Sequence, residues 1–502
     1  MPIFLIRRLS AAVTISSIDS TLILSPTIGS IPNFLVIYPP KVSTELSFKY
    51  ALVLSYTYLI YKLFRSNDNR NLINIFLWSF GYWAVGTSWI IVSIYYYGNV
   101  SLLGSVSLFL ILSIGCIIFF FLPILLLKRV IINKSNNLLL FVPFILILVE
   151  FGRYYFLGGF PWLLPGYIFL DTSYEILYGL IGVSGLSLLL YIFVASNVVL
   201  YSNKTYLLAF NIFLFITLMS PNIFESNKSD GDVVNFAIIQ PSTDPFKKFD
   251  NDYLNDIEDE FVSLSSQASE KADILVWPEA PLPYTSESAR SQNLIKNIEK
   301  PLISGFFSYQ NGNLYNSIIN SEQEIKYNKR KLVPFGEYIP FESFLRGLIS
   351  FFDMPMSNMT RGDSPKKMNV GYGSFSPLVC FDIVFGEMVR KDVKSSNYLI
   401  NVSNDTWFGN SFGPYQHLEI SRIRSIENNI PIVRATNDGI SALIDNKGTI
   451  VDYMGKGTSG ILRVELVPTD VRTFYNKHGN LLLYIYLLIV SIKIFFVRMR
   501  NA

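Results

Sequence analysis

Nothing limits the fold of this chain more than its long apolar runs. A hydrocarbon core about 30 Å thick takes about 20 apolar residues of helix to cross. Runs of that order fall at 9–25, 46–64, 75–97, 102–127, 138–156, 174–200, 205–221 and 481–497. The first is interrupted by Asp19 and several serines. Arg7 and Arg8 precede it and no A-x-A-like site comes after it, so a retained anchor is expected rather than a cleaved signal peptide. The charges agree with a chain of two natures. Only 16% of residues are charged, and residues 1–224 hold 18 of the 79 charged residues. A mean hydropathy of +0.36 is too high for one soluble globule.

Positive charge sets the expected orientation. Arg7 and Arg8, then Lys62, Arg65 and Arg70, Lys128, Arg129 and Lys134, Lys204, and finally Arg498 and Arg500 all fall on one side of eight spans. The opposite loops are poorer in Lys and Arg, although Lys41 is there. Both termini are therefore expected to be cytoplasmic, and residues 225–478 to lie on the outer, periplasmic side. The expected domains are a seven-helix bundle over 1–224, a catalytic domain over 225–478, and a last helix with a tail over 479–502.

Residues 225–478 carry short runs rich in β-branched residues, such as "VVNFAIIQP", "ADILVWPEA", "PLISGFFSY", "SPLVCFD", "NYLINVSND" and "IPIVRATND". "IDNKGTI" signals a hairpin. Helical patterns at 251–271 and 414–428 separate some of these runs, which suits one large domain of strands and helices. No segment is a basic tract, so nucleic acid is not an expected partner. Two cysteines and two histidines make neither a disulfide framework nor a zinc site of the usual kinds.

Three runs carry candidate reactive groups. "DILVWPEA" presents Glu279, "YNKRKLVPFGE" carries Lys329, Lys331 and Glu337, and "SPLVCFD" ends at Cys380. An unpaired cysteine is ordinarily a small buried hydrophobe, and Cys116 in "SIGCIIFFF" reads that way. A cysteine at a strand-to-helix turn differs, because nearby N–H groups and the positive helix end lower its pKa. A carboxylate beside it can serve as base, and a lysine can stabilise an oxyanion. No histidine is placed for a Cys–His pair; His417 reads as structural. Asn401, Asn404 and Asp405 read as a polar loop, and Glu387 with Arg390 as a salt-bridged or solvated pair.

The motifs "VWPEAPLP", "YNKRKLVPFGEYIP", "LVCFDIVFGE" and "NVSNDTWFGNSFGPYQH" resemble the nitrilase superfamily. With "GTSWIIVSIYYYG", "EFGRYYFLGGFPWLLPGY" and "RATNDGISALIDNKG", the chain more narrowly resembles the apolipoprotein N-acyltransferase family over nearly its whole length. By that resemblance Glu279 matches the general base, Lys329 the catalytic lysine, Cys380 the nucleophile, and Glu337 a second essential glutamate. Lys331 takes a neighbouring position usually held by histidine. Phe381 and Asp382 stand where the acyltransferases carry Tyr-Glu, and Phe249 stands where they carry a tryptophan.

The resemblance implies an α+β membrane protein: an eight-helix bundle with an αββα-sandwich periplasmic domain in a bacterial inner membrane. It implies ping-pong transfer of an acyl chain from a membrane phospholipid, through a Cys380 thioester, to the α-amine of a diacylated apolipoprotein. No cofactor or metal and a monomeric state are expected. The apolar stretch 339–359, with Phe351, Phe352 and Met354, reads as a buried helix or as a lid that admits acyl chains. Trp162 and Tyr167 read either as interfacial belt residues or as part of a plain loop. A membrane-tethered amidase with water as acceptor is the nearest rival, and a non-enzymatic binding or transport protein a more distant one.

Overall fold

The computed structural model describes residues 46–64, 71–98, 100–131, 137–155, 158–220, 232–339, 358–370 and 373–499. The expected span at 9–25 and the lid residues Phe351, Phe352 and Met354 lie outside them.

The apolar runs fold as helices: α1 Leu46–Phe64, α2 Asn71–Gly86, α3 Leu102–Cys116, α4 Leu138–Tyr155, α5 Tyr178–Leu200 and α6 Lys204–Met219. Polar residues start two of them, since Ser101 accepts from the Gly104 N–H and Asn203 from the Tyr206 N–H. Among the described residues, three helical stretches are long and apolar enough to cross a membrane: Leu102–Leu126, Leu138–Tyr155 and Glu175–Leu200. A fourth counts if α2 and Trp89–Tyr96, bent by 54°, form one span. α6 and Leu481–Phe496 are apolar but shorter.

The other described residues form an α+β sandwich with two six-stranded sheets. The first has the order β12-β1-β2-β3-β4-β5, and the second β11-β10-β9-β8-β7-β6. The first contains β1 Val234–Gln240, β2 Ile274–Val276, β3 Leu302–Gln310, β4 Asn313–Asn320, β5 Gln323–Asn328 and β12 Gly460–Leu466. The second contains β6 Met368–Val370, β7 Gly373–Val379, β8 Tyr398–Ser403, β9 Ile432–Thr436, β10 Ser441–Ile444 and β11 Ile450–Met454. The strands β1, β2 and β3 run parallel, as do β7, β8 and β9, while antiparallel strands flank each set. The expected hairpin joins β10 to β11. Asp445 accepts from the N–H groups of Lys447 and Thr449, and Gly448 supplies the positive φ.

Phe236, Ile238 and Ile303 from one sheet meet Phe375, Leu378 and Val402 from the other in a shared core. α7, Leu254–Ser269, buries Phe261 against Ala237, Leu275 and Trp277 of the first sheet. α8 Gly386–Asp392 and α9 Gly413–Asn428 come after the second sheet's central strands. The Arg434 guanidinium of β9 reaches Ser421 of α9, so α9 lies on that sheet.

The membrane half meets the sandwich through specific contacts. Ser93 donates to the Trp407 carbonyl at 2.7 Å, and the Gln416 amide to the Gly86 carbonyl at 3.2 Å. Glu427 of α9 accepts from the Val183 N–H at 2.9 Å, where Gly182 (φ +64°) breaks α5. Arg153, near the end of α4, holds the next loop by donating to the carbonyls of Trp162 and Leu163. That loop runs beneath the sandwich. Trp162 is 2% exposed, donates to Gln416 at 2.6 Å and stacks toward Phe381 at 6.5 Å. It is therefore a buried floor residue and not a lipid-facing belt residue.

Candidate active site

The candidate residues stand just past the carboxyl ends of parallel or adjoining strands. Glu279 comes after β2, Lys329 directly after β5, and Cys380 directly after β7. The chain turns sharply at two of these ends. Ala280 has φ +39° and Cys380 φ +45°, conformations that cost an L-residue energy and persist only where their surroundings enforce them. At the first turn the enforcement is steric. A Cβ on Gly305 of β3 would come within 2.6 Å of the Glu279 Cα, so only glycine lets the Glu279 backbone pass.

Lys329 lies between two carboxylates. Its ammonium donates to Glu337 Oε1 at 2.7 Å and to Glu279 Oε1 at 3.1 Å. Burial alone would lower its pKa, but the Glu279 and Glu337 charges raise it well above the usual lysine value. Asn316 of β4 spans the same pair, donating to Glu279 at 2.7 Å and to Glu337 at 3.2 Å. The second oxygen of Glu279 accepts from the Asn404 N–H at 2.8 Å, and that of Glu337 from the Val333 N–H at 2.8 Å. Both carboxylates are thus fixed with their charge compensated.

The Cys380 thiol is pushed up in pKa, chiefly by burial and then by the Glu279 charge, with Lys329 acting against both. The expectation of a thiol lowered by its helix is thereby corrected. A short 3-10 turn, Cys380–Val384, comes directly after β7, and α8 begins only at Gly386. The positive end of so short a turn does not offset loss of solvent.

Asp382 ties the elbow to the lysine segment. One oxygen accepts from the N–H groups of Lys331 at 2.8 Å and Arg330 at 3.3 Å. The other accepts from the Tyr327 hydroxyl at 2.8 Å and the Val379 N–H at 3.2 Å. Burial raises its pKa to about 6 despite these donors and Lys329. Phe381 packs edge-on against Phe385, with ring centres 5.2 Å apart, and faces Trp162. Phe249 stands half exposed, its ring 5.3 Å from the Lys248 ammonium.

Several contributors carried no sequence signal. Lys248 is buried and donates to the Ala280 carbonyl, holding the strained turn after Glu279. Burial lowers its pKa to about 8, against the pull of Glu279. Asn401 lies within β8 rather than in a loop, and it accepts from Arg434. His417 is buried and hydrogen-bonded, as a structural residue would be, but it stands beside Cys380, where the sequence placed no histidine. Its Nδ1 lies 3.0 Å from Asp405 and its Nε2 3.3 Å from the Cys380 carbonyl oxygen. Ligand atoms of Cys380, Asp405 and His417 lie within 4.8 Å of one another, as a metal site would require. Asp405, however, also accepts from Ser403 at 2.7 Å and from the Arg434 guanidinium at 2.6 Å. A cation already occupies that carboxylate, so the trio reads as a hydrogen-bonded support and does not fit a metal ion.

Known proteins share this arrangement of sequence. The model for "Apolipoprotein N-acyltransferase N-terminal domain" matches residues 34–196, and that for "Carbon-nitrogen hydrolase" matches residues 237–476. An apolipoprotein N-acyltransferase of Haemophilus influenzae is 31% identical over 88% of this chain and 90% of its own. One of Pseudomonas syringae is 34% identical over 79% of this chain and 82% of its own. Among solved structures, an amidase from Nesterenkonia sp. aligns with 51% of this chain and 97% of its own, at 20% identity and a TM-score of 0.36. Near-complete coverage of the Haemophilus and Pseudomonas relatives, across both the membrane and the sandwich halves, places this chain in the apolipoprotein N-acyltransferase family.

Proposed function

We propose that this protein transfers a fatty acyl chain from a membrane phospholipid to the N-terminal α-amine of a diacylglyceryl-cysteine apolipoprotein. The observation that carries the reading is the buried Lys329 ammonium bridging Glu279 and Glu337, with its charge acting on the Cys380 thiol. Glu279 takes the Sγ–H proton as Sγ attacks the donor ester carbonyl. The raised thiol pKa makes this base necessary, because little thiolate exists at rest. Lys329 then lies where an oxyanion would develop. Collapse expels the lysophospholipid alkoxide, which recovers the proton from Glu279. A neutral α-amine attacks the thioester, Glu279 accepts its proton, and the thiolate leaves and is reprotonated. Glu337 is a positioning residue for Lys329, and Asp382 holds the elbow.

Buried Trp162, with the partly buried Phe160 beside it, ties this site to the membrane helices, which supports substrates that arrive in the bilayer. The domain limits of 1–224, 225–478 and 479–502, eight spans, cytoplasmic termini, a periplasmic sandwich in a bacterial inner membrane and a lid over 339–359 complete the proposal. One chain carries every proposed group, so a monomer suffices. Intact-mass measurement after incubation with phospholipid tests it. An acyl adduct at Cys380, cleared by a diacylated lipopeptide amine, is expected. No adduct, or one that water clears and the amine does not capture, overturns the reading and leaves an amidase.

A further inference from the structure

The sheet holds Cys380 from its amino side. Val379 pairs with Val402 of β8, and its N–H donates to Asp382. On the carboxyl side a contact comes from α9. His417 Nε2 lies 3.3 Å from the Cys380 carbonyl oxygen. Between these two holds stands the φ of +45°, which an L-residue keeps only under constraint. With the preceding peptide fixed by β8 and the carbonyl fixed by His417, the Cα–Cβ bond, and so Sγ, has one direction. The proposed transfer employs Glu279 and Lys329 but gives His417 no task.

The contact at Nε2 is a hydrogen bond only if that nitrogen carries the proton. The surroundings of Nδ1 decide this. Nδ1 lies 3.0 Å from Arg434 Nη2 and 3.0 Å from Asp405 Oδ1. A guanidinium can only donate. With the proton on Nε2, Nδ1 accepts from Arg434 and Nε2–H donates to Cys380, leaving one lone-pair contact with Asp405. With the proton on Nδ1, only the bond to Asp405 forms. Nδ1–H then meets an Arg434 N–H, and a bare Nε2 meets the Cys380 oxygen. An imidazolium would donate at both ends. Arg434, however, already matches the Asp405 charge at 2.6 Å, and Asp405 also accepts from Ser403 at 2.7 Å. His417 is 1% exposed, so a second cation there would stand beside Arg434 out of water. Burial, and then Arg434, lowers its pKa accordingly.

We propose that His417 is a positioning residue for the nucleophile. Arg434 and Asp405 hold it as the neutral Nε2–H tautomer, and that N–H bonds the Cys380 carbonyl and locks the turn that presents Sγ. The inference rests on the Cys380 thioester reading and adds to it a residue that acts through Cys380 and takes no proton from the thiol.

Two measurements on the full-length protein in detergent test it. Nitrogen NMR of histidine-labelled protein reads the tautomer, since the chain has two histidines and His478 is exposed. His417 should show the neutral Nε2–H form across about pH 6 to 8. The Nδ1–H form, or a charged ring, overturns the proposal. Substitutions then separate the two ends of the ring. His417→Gln places an amide where Nε2 stands, and His417→Asn places one where Nδ1 stands. Acyl loading of Cys380 is followed by intact mass. His417→Asn should load about tenfold more slowly at saturating phospholipid, with the half-saturating concentration unchanged, and His417→Gln should recover most of that rate. Asn loading as fast as Gln, or a loss that only tracks the thermal midpoints of the two variants, overturns the proposal. If neither variant folds, the tautomer in the unsubstituted protein still decides. No adduct on the unsubstituted protein sinks the transfer reading and keeps this one, provided that iodoacetamide labelling of Cys380 ranks the variants in the same order. An adduct formed at equal rates by all three proteins sinks this proposal and keeps the transfer.

Discussion

Replacing Lys329 with methionine keeps the side chain's length and removes the charge that two buried carboxylates share. The three side chains are 1%, 7% and 8% exposed, so water does not take over the ammonium's role. Glu279 and Glu337 would then face each other through Asn316 alone. One of them must bind a proton to remain inside. From an ordinary glutamate value near 4.3, protonation at pH 7 costs about 4 kcal/mol, in line with about 3–5 kcal/mol for breaking a buried pair. At pH 5.5 the same proton costs about 2 kcal/mol. The sign comes from proton counting. Over this range the folded variant holds a proton that its unfolded chain releases, so its stability falls as pH rises. The gap in thermal midpoint between Lys329→Met and its parent, both carrying Cys380→Ala, should be wide at pH 7 and shrink by about half at pH 5.5. A gap that does not change with pH would refute the shared-ammonium account.

Single contacts set the other expected outcomes. Asp382 titrates near 6, so acyl loading of Cys380 should fall with a midpoint near that pH as the protonated carboxyl loses its hold on the Val379 and Lys331 N–H groups. Asp382→Asn should abolish that acid limb and slow loading at pH 7.5, as intact mass will show. Trp162→Ala, which empties a buried floor, should destabilise the protein by about 3–5 kcal/mol, whereas Trp162→Phe should lose about 1 kcal/mol with the Gln416 hydrogen bond, by denaturant unfolding. Because the thiol is pushed up, iodoacetamide should label Cys380 slowly at pH 7.5 and faster as pH rises, by peptide mapping. Lys248→Met removes the donor to the strained Ala280 turn and should slow loading about tenfold, with Lys248→Arg recovering part of it.

Much of the site was readable because its chemistry is local. Glu279 and Cys380 each sit at the end of an apolar run, one just past β2 and the other directly after β7, whereas Lys329 comes directly after the polar strand β5. The same holds for α7, α9 and the Asp445 hairpin, where periodicity and turn chemistry act within a few residues. Asn316 was not readable, because "NLYNSIIN" is an ordinary polar strand until β3 and β5 bring it to both carboxylates. The same reason hides Lys248 beneath Ala280 and Arg434 behind Asp405: each is a partner across the fold. Trp162 misleads for a related cause. An aromatic beside apolar runs looks interfacial until Phe381 is found above it. At Cys380 burial, which a linear sequence does not display, raises the thiol pKa where a helix end alone would lower it.

The pairing of β1 with β12 has a consequence for the order of biosynthesis. Val234 pairs with Leu466 and Gln240 with Gly460, so the first strand of the sandwich lies against its last. A ribosome delivers these partners at opposite ends of the domain. Until residue 466 has been made, β1 is an unpaired edge, open to wrong partners and to proteolysis. The final helix, Leu481–Met499, begins only shortly afterwards. Closing the sheet and folding this last described helix are therefore nearly simultaneous events. A nascent chain stalled just before residue 460 should carry every proposed reactive group and still lack a closed fold.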